Sequence, residues 1–185
     1  MRLVLHYRGP LKANAGPAHK HELRRHFHHQ LKKLWSQKPL VEIPQWIHPV
    51  KDPDHYHFLR SLPPFTFAPL VTEEVNAVAE LSLTVLRPEA PGGLITSSGD
   101  IDNRLKTLFD ALAVPPQSNA LPPGVTPEAD ENPLFCLLED DKLIIAVSVR
   151  TEQLLESVTD SSLVDLTIAV QTRVTRNTMD NDVFT

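Results

Sequence analysis

The sequence predicts an α/β protein of the α+β kind, a mixed β-sheet with helices packed on it and proline-rich loop insertions. Two segments alternate or run apolar as strands do, around residues 79–85 and 163–174. Two others repeat their apolar residues at helical spacing, around 18–37 and 101–112. The chain has 185 residues, 41% of them hydrophobic, enough for one sizeable core and better suited to one domain over 1–185 than to two.

Leu3–Tyr7 reads as a first strand, closed by Gly9 and Pro10. From Ala18 to Gln37, Leu23, Phe27, Leu31 and Leu34 form one helical stripe, while Lys20, Arg24, Arg25, Lys32 and Lys33 lie on other faces. Residues 38–77 are rich in proline and aromatics and read as ordered loop. Ala79–Val85 alternates as a half-buried strand does, and a Pro/Gly/Ser loop follows from Pro88 to Gly99. Ile101, Leu105, Leu108, Phe109 and Leu112 mark a helix lying on the core, with Leu105 taken as the centre of its stripe. Residues 113–133 carry six prolines and read as an irregular insertion. Leu143–Arg150 reads as a strand buried on both faces, Leu163–Val174 as a strand with one buried face, and Thr175–Thr185 as a polar tail.

The charge is uneven. Residues 1–40 hold nine Lys or Arg against Glu22 alone, and the remainder holds nine basic against 22 acidic residues. A basic arm beside an acidic body is expected where the arm touches phosphate and some carboxylates hold metal, so Lys20, Arg24, Arg25, Lys32 and Lys33 are candidate DNA contacts. The opening residues are too short an apolar run for a signal peptide and no segment reaches the length of a membrane span, which predicts a cytoplasmic protein with no membrane partner. Cys136, the one cysteine, sits in an apolar run and is expected to be buried.

Two histidine groups invite a metal reading. His26, His28 and His29 suggest a cluster, but a helix does not aim neighbours 28 and 29 in one direction; His55 and His57 share a face if extended but have no third ligand nearby.

The informative stretch is Asp100-Ile101-Asp102-Asn103-Arg104-Leu105-Lys106, continued by Asp110-Ala111-Leu112 and later by Asp140-Asp141-Lys142-Leu143-Ile144. At 100° per residue Asp102, Asn103, Lys106 and Asp110 share one flank of the helix, and Asp100 enters it from the loop. Crowded carboxylates repel unless a cation lies between them, and oxygen ligands select Mg²⁺ or Mn²⁺. Either Asp140 or Asp141 can complete such a site. Singly, each feature has a plainer reading: Asp100 as a helix cap, Asp102 with Lys106 as an i, i+4 ion pair, Asp140-Asp141 as a turn.

Together these residues resemble the RusA-type Holliday-junction endodeoxyribonucleases of bacteria and their phages, with Gly9-Pro10 and Asn14 as a weaker echo. The resemblance implies a homodimer that cleaves branched DNA in recombination and repair. It places Mg²⁺ on Asp100, Asp102 and Asp141, with Lys106 assisting; beside it, Mn²⁺ is an alternative ion by its oxygen preference, and Asn103, Asp110 and Asp140 are candidates to orient the ligands. Trp46, Phe65 and Phe67 are expected to offer interface surface. The segment between Asp110 and Asp140 is longer than the family suggests. Two other classes compete: a non-catalytic branched-DNA-binding or regulatory protein on the same fold, and a metal-dependent phosphatase or nucleotide hydrolase.

Overall fold

The computed structural model describes residues 1–48, 57–88, 101–178 and 181–184. Seven strands and two α-helices follow in the order β1 (Arg2–Pro10), α1 (Pro17–Trp35), β2 (Arg60–Leu62), β3 (Phe65–Val71), β4 (Ala77–Arg87), α2 (Ile101–Leu112), β5 (Leu134–Leu138), β6 (Ile144–Gln153) and β7 (Leu163–Val174). They form a four-stranded sheet, β1-β7-β4-β6, and a three-stranded sheet, β2-β3-β5. Both sheets are mixed: β4 pairs with β6 and β3 with β5 in parallel, the remaining pairs being antiparallel.

Alternation sets the register of the larger sheet. Leu81, Leu83 and Val85 of β4 face the same way as Val170, Ile168 and Leu166 opposite them on β7, and all six are buried. Leu5 and Tyr7 of β1 continue the layer. Helix α1 begins with Pro17 at its first position, where no N–H is needed, and carries Lys32 and Lys33 in its last turn, where the dipole favours cations. Its buried band is wider than one stripe. Leu23, Phe27 and Leu31 form one ridge and His21, Arg24, His28 and Trp35 a second, because α1 packs against β1, β5 and α2 at once.

Several segments differ from their sequence reading. Residues 38–77 contain β2, β3 and the 3-10 turns Leu40–Glu42 and Pro44–Ile47. β3 accommodates Pro69 because β2 pairs only with its first residues, Phe65–Phe67, so the missing N–H faces no partner on that side. Trp46, Phe65 and Phe67, expected at an interface, are core residues. The C-terminal segment also returns to the core: Phe184 is buried against Trp46, their rings stacked at 6.1 Å, and its carbonyl accepts from the Met1 ammonium at 2.6 Å. Cys136 is buried as expected.

β6 is the clearest correction among the strands. It lies at the end of its sheet, with β4 as its one neighbour among the described residues, and Ile145 and Val147 are 54% and 43% exposed, so it is not buried on both faces. A continuous apolar run cannot distinguish a central strand from an exposed edge. No helix among the described residues is long and apolar enough to cross a membrane.

Candidate active site

Helix α2 is amphipathic, but its buried side is not centred on Leu105. Arg104, Thr107, Leu108, Ala111 and Leu112 are buried while Leu105 and Phe109 are half-buried. The centre is thus turned by roughly 90° toward Arg104 and Leu108. Asp102 and Lys106 consequently stand on the exposed side, and Asn103 and Asp110 at its half-buried margin. The four still fall within a sector of about 100°, so they share one face. The Asp102 carboxylate accepts from the Asn103 amide at 2.8 Å, and no ion pair joins it to Lys106, so the plainer i, i+4 pairing is not formed. Asp100 lies outside the described residues.

The second acidic segment reaches α2 through the smaller sheet. β3 and β5 run parallel, and their carboxyl ends are tied to the end of α2 by the Ala113–Leu138 bridge and by the Val114 amide donating to the Leu138 carbonyl at 3.0 Å. The chain then turns through Glu139 and Asp140 into the 3-10 turn Asp141–Leu143, which contacts α2. Asp140 caps this turn, its Oδ1 accepting from the Lys142 amide at 2.9 Å. Glu139 accepts from Arg60 Nε at 2.6 Å and from the Glu73 amide at 3.0 Å.

Asp110, Asp140 and Asp141 thereby come together from two distant stretches of sequence. Partial burial raises the Asp141 pKa above the usual carboxylate range, and the nearby Asp140 and Asp110 carboxylates raise it further. Lys20 Nζ of α1 lies 2.7 Å from Asp110 Oδ2, and Lys142 Nζ stands farther off, 4.0 Å from Asp140 Oδ2. A cavity of about 450 Å³ opens beside these side chains, with Lys20, Arg24, Asp110, Asp140 and Asp141 on its polar side. Several carboxylates crowded together are a donor set that a hard divalent cation relieves.

The basic face of α1 is placed differently from its sequence reading. Arg24 is only 2% exposed; its Nε donates to the Ala113 carbonyl at 3.2 Å and its Nη2 to the Asp110 carbonyl at 2.7 Å, so it cannot reach DNA phosphate. Arg25 is held by Glu131 at 2.7 Å and Glu128 at 3.1 Å, and Lys32 lies 3.5 Å from Asp130. Lys20 is held by Asp110, as above. Lys33 alone of the five is exposed without an ion pair among the described residues. The acidic insertion after α2 folds back on the basic helix, so part of the charge asymmetry is neutralised within the chain.

The same insertion brings Asp130 to His28 and His29, 3.7 Å from His28 Nε2 and 3.6 Å from His29 Nδ1, an approach the helix geometry alone does not suggest. The trio is unsuited to a metal as it stands. His28 Nδ1 accepts the Phe135 N–H at 2.9 Å, so the neutral ring carries its proton on Nε2 and presents a donor there, not a lone pair. Of the other pair, His57 donates its amide to Glu74 at 2.8 Å, and His55 lies outside the described residues.

Sequence reasoning missed Arg60, Glu139 and the apolar wall of the cavity. Nothing in their spacing links them to Asp110, because β3 and β5 were not legible as strands. Comparison with models of known protein families, with curated proteins and with solved structures returns no match for this chain.

Proposed function

We propose that this protein is a metal-dependent endodeoxyribonuclease of the RusA type, acting on Holliday junctions or related branched DNA as a cytoplasmic homodimer. The observation that carries the reading is the meeting of two acidic segments: the Asp110 end of α2 and the Asp140-Asp141 turn. Asp102 and Asp141, with Asp100, would hold Mg²⁺ or Mn²⁺. A cation bound there supplies Lewis acidity and lowers the pKa of a coordinated water.

The chain's own residues then have distinct tasks. Lys106, exposed one turn beyond Asp102, is free to stabilise the charge that builds on phosphorus as water attacks in line, leaving a 5′-phosphate and a 3′-hydroxyl. Asp110 is oriented by Lys20, Asp140 by the Lys142 amide, and Asn103 donates its amide to Asp102. Backbone contacts to DNA fall to Lys33, and to Lys32 and Arg25 where phosphate outcompetes their carboxylate partners. Two copies are needed to cut two opposing strands, and a two-fold dimer matches a junction's symmetry. With the aromatics buried, the exposed edge strand β6, including Ile145 and Val147, offers apolar surface for pairing.

The test is nicking of four-way, flap and linear DNA in Mg²⁺ and in EDTA, with mass measured by light scattering. Paired nicks in the four-way substrate by a dimer, lost in EDTA, are expected. Hydrolysis of small phosphate esters without nicking sinks the proposal in favour of a phosphatase, and tight junction binding with no cleavage in any divalent metal favours a regulatory binder.

Lys106 offers a finer check. Lys106→Ala is expected to lower kcat by about 10²-fold with little change in metal affinity, the usual range for one lost transition-state contact. Lys106→Arg should rescue poorly, because a planar guanidinium does not replace a compact ammonium. An unchanged kcat in both, measured in single-turnover cleavage, returns Lys106 to a solvated helix face.

A further inference from the structure

The cavity beside the carboxylates is built for more than a cation. One side is apolar, formed by Val114, Pro115, Pro116 and Ala120. The polar side offers acceptors on Asp110, Glu139 and Asp140. Arg24 also lines the cavity; it is 2% exposed, with its Nε and Nη2 on backbone carbonyls and its buried Nη1 without a hydrogen-bond partner among the described residues. A buried N–H left unsatisfied is destabilising, so the position favours an acceptor brought from outside the chain.

These features select among ligand classes. A phosphate would face Asp110, Glu139, Asp140 and Asp141; of the three cations there, Lys20 and Arg60 are already paired to Asp110 and Glu139, and Arg24 is turned to the Asp110 and Ala113 carbonyls. A bare cation would leave the apolar side and the Arg24 donor without a role. A nucleobase is neutral, has a face that packs on apolar side chains, and has an edge that mixes donors with acceptors. The volume, about 450 Å³, is in the range of small-ligand pockets.

We propose that this cavity receives one nucleobase extruded from the branch point beside the scissile phosphate. This rests on the nuclease reading and extends it to a reason for substrate choice. Extruding a base is costly in intact duplex and least so where pairing is already broken. An enzyme that needs one extruded base for alignment therefore discriminates branched from linear DNA without a sequence-reading helix.

The experiment uses four-way junctions carrying 2-aminopurine, in turn, at each nucleotide flanking the branch point, bound to the full chain in EDTA so that no strand is cut. Fluorescence is expected to rise at one position by about threefold or more as the base leaves its stack. Ala120→Trp, which fills the cavity, should abolish the rise and Ala120→Leu should reduce it, with gel-shift affinity within about fivefold of the native chain because backbone contacts are kept. Thermal melts establish that each variant is folded, and the Leu variant decides if the Trp variant is not. No rise at any position, or an undiminished rise in the folded variants, overturns the assignment. Native cleavage of the same junctions in Mg²⁺ is scored alongside. Cleavage without a rise removes the cavity proposal and leaves the nuclease standing, whereas absence of both binding and cleavage removes both.

Discussion

Asp102→Asn and Asp141→Asn are each expected to lower Mg²⁺-dependent strand cleavage by at least about 10³-fold, equivalent to about 4 kcal/mol of transition-state stabilisation. Junction binding should survive. An amide preserves the shape of the carboxylate but not its charge, so it weakens a hard-cation site while removing a repulsion against the approaching phosphate. That repulsion is on the order of 1 kcal/mol for unit charges about 4 Å apart in water, so affinity for the junction in EDTA should stay level or rise several-fold. Asp110→Asn provides the contrast. Its direct partner is Lys20, in a half-exposed pair of the kind worth about 0–1 kcal/mol, and its effect on cleavage should stay within about tenfold. Nicking and gel-shift assays on one four-way junction rank the three variants. If Asp110→Asn is as damaging as Asp141→Asn, the ligand set is wrong; if Asp102→Asn cuts normally, the exposed side of α2 is not the reacting face.

The acidic motifs on α2 and before β6 were legible because carboxylates at i, i+8 on a helix and a doubled aspartate before a strand are local patterns. Their meeting was not. It depends on β3 and β5, whose parallel pairing delivers Glu139–Asp141 to the end of α2, and neither was readable as a strand. β3 contains Pro69, which argues against a strand until one sees that β2 stops short of it. β5 is a five-residue apolar run with no period to measure. The rotation of α2 has a similar origin. Arg104 and Thr107 look like surface residues by composition, yet both are buried, and Thr107 Oγ1 accepts from the Ala15 amide at 3.2 Å in the loop before α1. A periodicity argument ranks side chains by polarity and cannot foresee that a neighbouring loop will cover the polar ones. The basic helix misled for the opposite reason: its charges were counted correctly, but the acids that meet them lie about a hundred residues away in sequence.

Arg24 is where that error has the largest energetic consequence, and Arg24→Ala is expected to destabilise the fold by about 3–5 kcal/mol, the range for breaking a buried, hydrogen-bonded charge. The reason lies at the end of α2. A helix leaves its last carbonyls without intrahelical partners, and α2 has no basic residue of its own in its last turn. Arg24 of α1 supplies both needs, donating to the Asp110 and Ala113 carbonyls and setting a cation at the negative end of the helix dipole. Burial lowers its pKa to about 10, with the nearby Asp110 carboxylate opposing that shift, so it stays charged at neutral pH. Removing the guanidinium takes the donor from two carbonyls, at about 1–3 kcal/mol for each that stays buried and unpaired. Arg24→Lys keeps the charge but reaches one carbonyl at a time, and should recover no more than about half of the loss. Urea unfolding of the three proteins measures the stability order. The salt dependence of junction binding, measured with the folded fraction, gives the second readout: the slope of log K against log salt should be unchanged for Arg24→Lys and reduced by about one unit for Lys33→Gln. A stable Arg24→Ala protein with a flattened salt slope would mean that the side chain leaves the helix end and reaches phosphate, and the joint between α1 and α2 would then need another account.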